Sequence, residues 1–292
     1  MNKEVRYRIY PSLLNSFQRM LDSEIDAEDF SNIDSESGDY RLSAEDIYAQ
    51  REKDLIDSIN RMPREPIEAA DRGTAFNEIV DCIVLHTKST RNDVRIIHNK
   101  EVHEERIKTI MDLADNTEEN QETYLVETPE SIEAFINGFD FKYEPQLCRQ
   151  TAAYFHNTIP QYLCEGVLDT DYGKVALYGY ADYIFPNKVA DLKTTAKYDF
   201  GKFEHNWQKE LYPYCLIESG EMKECESFLF YVVQMKSPTK AMPLITGTDY
   251  REEYRYDHAL ATKRLKEICE RFIEWLEKHK ELITDKKVFN YR

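Results

Sequence analysis

The chain has 292 residues with 41% hydrophobic and 12% aromatic side chains, enough for a sizeable core in one large or two small domains, and its 32% charged residues fit a soluble protein. No stretch approaches the roughly 18 consecutive apolar residues of a membrane span, and the start, Met1 to Tyr7, has no apolar core of a secretory signal. The six cysteines are scattered without a Cys-x-x-Cys pair, which fits free thiols in a reducing cytoplasm better than a disulfide frame or a zinc site. With 55 acids against 38 bases the net charge is −17, which counts against a protein that coats nucleic acid. Between Tyr172 and Phe203, however, five lysines face three aspartates, so one segment is net positive inside an acidic chain.

In chain order, Leu13, Leu14, Phe17, Met20 and Leu21 recur at helical spacing after Pro11-Ser12. The acidic, serine-rich stretch Asp22 to Asp39 reads as a loop. Ser43-Ala-Glu-Asp46 resembles a capping box opening a helix to Met62, which Pro63 and Pro66 end. A third helix from Asp71 would bury Phe76, Ile79, Val80, Ile83 and Val84. Residues 1–70 thus read as a helical N-terminal part. Residues 87–125 are polar with little periodicity and read as a surface insertion, part helix and part loop. Thr128-Pro129-Glu130-Ser131 suggests a short helix with proline at its first position, and Pro145 to Phe155 another.

The middle of the chain changes character. Tyr162–Leu168, Lys174–Phe185 and Val189–Thr194 are rich in Val, Tyr, Leu and Ile and are separated by Asp-Tyr-Gly and Pro-Asn turn residues, which predicts three consecutive antiparallel strands. A helix over Phe203–Glu218, strands over Ser227–Gln234 and Ala241–Thr246, and a long helix over Tyr254–Leu282 with Leu260, Ile268, Phe272 and Leu276 in its stripe complete the chain. Residues 160–246 would form the sheet core of a single α/β domain spanning 1–292.

Gly179-Tyr-Ala-Asp182 is followed nine residues later by Asp191-Leu-Lys193. On a strand Asp191 and Lys193 point the same way, about 7 Å apart, and a tight Phe185-Pro-Asn-Lys188 turn brings Asp182 back beside them. Two carboxylates and an ammonium then converge. Magnesium takes oxygen ligands and keeps several waters, so two carboxylates and a backbone carbonyl suffice to hold it. The lysine then serves an attacking water and offsets charge on a phosphate. Spacing alone is weak: Asp140/Lys142, Glu221/Lys223 and Asp285/Lys287 repeat it, without a strand context or an upstream Gly-x-x-Asp, and Asp191/Lys193 by itself also describes a surface ion pair.

Four segments together resemble the PD-(D/E)XK nuclease superfamily, in its RecB-like and phage-exonuclease branch. They are Tyr10-Pro-Ser-Leu-Leu-Asn-Ser-Phe17, Arg72-Gly-Thr-Ala-Phe-Asn77-Glu78, the pair of core motifs Gly179–Asp182 and Asp191–Lys193, and Gln208-Lys-Glu-Leu-Tyr212, in that order over residues 10–212. The resemblance implies a restriction-endonuclease-like core, a mixed central sheet flanked by helices. It implies that Asp182, Asp191 and the Leu192 carbonyl bind Mg2+ (Mn2+ substituting), that Lys193 serves the water, and that Gln208 and Tyr212 face substrate phosphate or the water network. Asn77 stands where the family often has histidine, leaving Asn77 or Glu78 as a weaker ligand; this change also fits an inactive relative. Glu165 is a further candidate acid, with a plain strand-surface glutamate as the alternative. The implied activity is a deoxyribonuclease, an exonuclease resecting double-stranded DNA ends for recombination. A structure-specific or defence endonuclease and a nucleic-acid-binding relative without cleavage are the alternatives. Phage-type relatives also suggest a single-strand annealing protein as a partner and a ring-shaped homo-oligomer.

Overall fold

In this computed structural model, which describes residues 5–27, 42–89, 91, 94–99, 102–108, 121–127 and 130–290, the chain opens with a strand, β1 (Val5–Ile9), that turns Tyr7 and Ile9 inward. The N-terminal part is therefore not wholly helical. Pro11 has no N–H to lose and starts α1 (Pro11–Leu21), which buries Leu13, Leu14, Phe17 and Met20. A short α2 (Ser23–Ala27) takes the front of the stretch read as a loop; residues 28–41 lie outside the described residues. The capping box forms as predicted. Ser43 Oγ accepts from Asp46 N at 3.1 Å, Asp46 Oδ2 accepts from Ser43 N at 3.3 Å, and α3 (Ala44–Ile59) follows. Next comes α4 (Glu68–Leu85), closed by a left-handed His86.

The segment read as a surface insertion is made of strands among its described residues: β2 (Arg95–Asn99), β3 (Val102–Lys108) and β4 (Gln121–Glu127). Strands β3 and β4 pair with each other, whereas β2 joins β5 (Ser131–Ile136) and β6 (Phe139–Tyr143) in a small sheet, with Val94 and Ile96 packed into the core. The short helix predicted from Thr128 is replaced by β5, residues 128–129 lying outside the described residues. Two features decide for strand: the apolar Ile132, Phe135 and Ile136, and Asn137-Gly138, whose φ of 51° and 87° make the primed turn that joins hairpin strands. Asp140/Lys142 accordingly does lie on a strand, β6, where Lys142 pairs with Glu133 at 2.7 Å.

After α5 (Pro145–Tyr154) come β7 (Ile159–Thr170), β8 (Gly173–Ile184) and β9 (Lys188–Thr195), antiparallel in succession as predicted. Helix α6 (Gln208–Glu218) begins five residues later than predicted, after a run of turns. Strand β10 (Ser227–Lys236) pairs parallel with β9 and antiparallel with β11 (Thr246–Arg255). The sequence predicts the last strand over Ala241–Thr246. Within 241–245 only Ile245 forms a bridge, to Tyr143, and the charged but alternating 246–255 forms the ladder instead. It displaces the start of the final helix, α7, to His258–Lys278; Ile268, Phe272 and Leu276 are buried, whereas Leu260 is exposed.

The result is an α/β fold with N-terminal helices, a mixed central sheet of order β1-β8-β9-β10-β11 with β7 on the other side of β8, and a long C-terminal helix. One face is covered by α1, α3, α6 and α7. The second is covered by α4, α5 and the small sheet, over β9, β10 and the end of β8. Among the described residues no helix is long and apolar enough to cross a membrane, and all six cysteines are free.

Candidate active site

Along a single edge β8 has two different partners. β1 pairs parallel with Lys174–Leu177, and β9 pairs only with Tyr183 and Ile184. Beyond Tyr183↔Ala190 the strands β8 and β9 diverge, so Asp182 and Asp191 stand on opposite arms of the split. Asp182 replaces the missing ladder bond itself: its Oδ2 accepts from Leu192 N at 2.8 Å. Residues two apart on a strand normally share a face. Ala181 nonetheless packs in the cluster under α6, while Tyr183 packs in the cluster under α4. β8 therefore changes face at Asp182, opposite Gln161, whose φ of 50° is left-handed.

Asp191 is 2% exposed, its Oδ1 hydrogen-bonded and its Oδ2 ion-paired but without a hydrogen-bond partner. Lys193 Nζ lies 2.6 Å from its Oδ2, and Gln208 Nε2 donates to its Oδ1 at 2.6 Å. The same Gln208 amide accepts Lys193 Nζ on Oε1 at 2.6 Å, and its Nε2 lies 3.3 Å from Tyr212 Oη. Position 179 cannot carry a side chain, because a Cβ there would stand 2.8 Å from the Tyr212 ring, which explains the glycine of Gly-x-x-Asp. The start of α6 is fixed by Asn15 of α1, whose Oδ1 accepts from Trp207 N at 2.8 Å. Burial, and then the charge of Asp191, hold the Asp182 carboxyl well above the usual carboxylate range, despite Lys193. Burial likewise raises the Tyr212 phenol, so it stays protonated.

Helix α4 forms the opposite wall. Gly73 lets it press on β9, since a Cβ there would sit 2.4 Å from Thr194 Oγ1. One turn later Asn77 Nδ2 donates to the Leu192 carbonyl at 3.3 Å, and Asn77 Oδ1 is buried without a hydrogen-bond partner. Asn77 thus reaches the predicted site. Glu78 points to Cys82 Sγ at 3.8 Å, and the exposed Glu165, opposite Tyr178 on β7, stands about 13 Å along the strand from the Asp182 row. Neither joins the cluster.

Two residues that the motifs do not include do join it. Asp81, one turn after Asn77 on α4, accepts from Tyr183 Oη at 2.5 Å and from Gln161 Nε2 at 3.0 Å. Gln161 Nε2 also lies 3.4 Å from Asp182 Oδ1 and so links the two acids. Burial pushes Asp81 up to about 6, against the hydrogen bonds from Tyr183 and Gln161. The available clue is an acid inside the apolar run Ile79-Val80-Asp81-Cys82-Ile83-Val84, four residues after Asn77.

Among the described residues no three His, Cys, Asp or Glu side chains form a metal-type group. Grouped around Leu192 are the Asp182 carboxylate, the neighbouring Asp191, the Leu192 carbonyl and the Asn77 side chain, whose Oδ1 is buried without a hydrogen-bond partner. That chemistry suits a small hard cation that keeps part of its water.

No family model matches the chain, and no curated protein matches it. Among solved structures, a similar chain is that of the crystal structure of SSO0001, 18% identical, with a TM-score of 0.27 over 41% of this chain. The match spans half the length of that protein.

Proposed function

We propose that the chain is a metal-dependent deoxyribonuclease of the PD-(D/E)XK type, RecB-like and phage-exonuclease branch, hydrolysing phosphodiesters at DNA ends. The observation that carries this is the pairing of Asp182 and Asp191 across the split between β8 and β9, with Lys193 fixed beside them by Gln208. Asp182, Asp191 and the Leu192 carbonyl would hold Mg2+ (or Mn2+), with Asn77, which donates to that carbonyl, as the weaker fourth candidate. When bound, the ion supplies charge stabilisation for the phosphoryl group and activation of a water. The protein's part is orientation. Gln208 Oε1 and Asp191 Oδ2 each lie 2.6 Å from Lys193 Nζ, leaving one of its three donors for the attacking oxygen or the phosphate. Asp191, held between Gln208 and Lys193, cannot rotate away. Tyr212, kept protonated, holds the free edge of the Gln208 amide. The reading includes a cytoplasmic setting and resection for recombination, with a single-strand annealing protein and a homo-oligomer as further parts of the phage-type pattern.

One observation favours a second reading, a nucleic-acid-binding relative without cleavage: the Leu192 carbonyl already accepts from Asn77. End-labelled linear duplex and closed circular DNA, with magnesium, manganese or EDTA, separate the readings. Metal-dependent loss of linear DNA alone supports the exonuclease. Cleavage of the circle supports a structure-specific or defence endonuclease instead. Cleavage of neither, nor of RNA or single strands, by folded protein would overturn the enzyme.

A further inference from the structure

Among the described residues nothing covers the second face of the sheet where α4, α5 and the small sheet stop. Over β1, the first half of β8 and β7, the outward residues are open: Tyr180 is 58% exposed, and Leu163, its direct cross-strand partner, 40%. This row is the next one along the ladder from Gln161 and Asp182, about 7 Å away. In the following row the Arg8 guanidinium lies 5.0 Å over the Tyr178 ring. Arg6 and Arg8 are exposed on β1, and Lys174 lies beside them on β8. Among the described residues none of these three cations has an ion-pair partner, in a chain of net charge −17.

The face is also sided. Its cations lie on β1 and the start of β8, whereas Glu165 and Asp169 stand on β7, opposite Tyr178 and Lys174. A phosphate chain is attracted to the β1 side and repelled from β7. Leu163 and Tyr180 form the next row beyond Glu165 and Tyr178, toward Asp182. Cations that track a backbone beside rings that take bases are the arrangement of single-strand binding surfaces, and every base has a face to stack. We propose that this open face is a track for a single-stranded nucleic acid running into the Asp182 site. Its phosphates lie along Arg6, Arg8 and Lys174, and the base nearest the site rests on Tyr180 and Leu163. The proposal rests on the nuclease reading for the role of that strand as substrate.

Binding of a labelled oligothymidylate to the whole chain in EDTA, over a series of salt concentrations, tests it without cleavage. Arg6→Ala, Arg8→Ala and Lys174→Ala together should flatten the slope of log affinity against log salt by about 2, three contacts at roughly 0.7 each. Tyr180→Ala should weaken binding about tenfold, the order expected for one lost stack, while Tyr180→Phe keeps it. Asp182→Asn should lose cleavage and keep this binding. Unchanged slope and affinity in the variants, or no binding by the wild type, overturns the track. A chain that binds through these residues but cuts nothing keeps the track and loses the hydrolase; a chain that cuts while its binding ignores them does the reverse.

Discussion

Gln208 Oε1 accepts the Lys193 ammonium at 2.6 Å while its Nε2 donates to Asp191 at the same distance, so a single neutral amide sets both charged groups. An amide suits this place because one side needs an acceptor and the other a donor, which its two ends supply without a charge. Gln208→Glu presents a second carboxylate to Asp191, and Gln208→Ala leaves lysine and aspartate to find each other unaided. Hydrogen bonds to charged groups contribute about 1.5–3 kcal/mol each. Turnover in either variant should therefore fall by at least about tenfold, with Gln208→Glu the worse. Rates under saturating metal and substrate check this; equal turnover in wild type and both variants would remove Gln208 from the site.

Asp182→Asn should abolish cleavage and yet raise the melting temperature at neutral pH. The carboxyl is held above its ordinary range by burial and by Asp191, so its charged form is unfavourable in the folded chain, and an amide relieves that while its oxygen still accepts from Leu192 N. Loss of activity with gain of stability marks a residue kept for function. A variant that melts earlier and still cuts would show Asp182 to be structural.

Asp81 makes stability depend on pH in the opposite sense to most carboxylates. Its folded value of about 6 lies above the ordinary 3.8, so the folded chain holds the proton more tightly than the unfolded one. Its contribution is full below about pH 4 and is lost as pH rises through about 6, a total of about 3 kcal/mol at about 1.4 kcal/mol per unit. Denaturant midpoints across this window in wild type and Asp81→Asn should diverge, the variant gaining relative stability as pH rises. Parallel curves would mean that the carboxylate is solvated.

Gly73→Ala tests the seating of α4. Alanine is ordinarily the better helix former by about 1 kcal/mol, but here its Cβ meets Thr194 Oγ1 at 2.4 Å. Overpacking costs about 1–3 kcal/mol, so the variant should melt earlier, and Thr194→Ala on top of it should restore what was lost. Absence of coupling in that double-mutant cycle would place α4 further from β9.

The three-strand meander and the carboxylate pair were legible because strand-forming residues, turn residues and the Asp-x-Lys spacing all lie within one local stretch. Gln208 and Tyr212 were legible as an i, i+4 pair, although their contact with Asp191 depends on α6 folding back over β9. Asp81 and Gln161 were not, since one sits on a helix and the other on a left-handed strand residue, and only the tertiary approach of Tyr183 joins them. Strand β1 is not legible because five residues carry too little periodicity, and β5 because Thr128-Pro129-Glu130-Ser131 imitates a helix start. For β11, strong charge masked a ladder that runs its full length along β10.

Strand β1 has no neighbour close to it in sequence. Its ladder partners are Lys174 to Leu177, and Asn290 Nδ2 donates to its Val5 carbonyl at 2.9 Å. Pairings this distant pay their loop-closure entropy before any contact repays it, and form slowly. During synthesis from the N-terminus, β1 and the apolar face of α1 must therefore wait beside the ribosome until β8 emerges. The Asn15 anchor at Trp207 N waits longer still, for α6. A nascent chain halted before residue 173 would have α3 but neither sheet nor α7 to cover Leu13, Leu14, Phe17 and Met20, a part-covered helix face of the kind that holding chaperones retain.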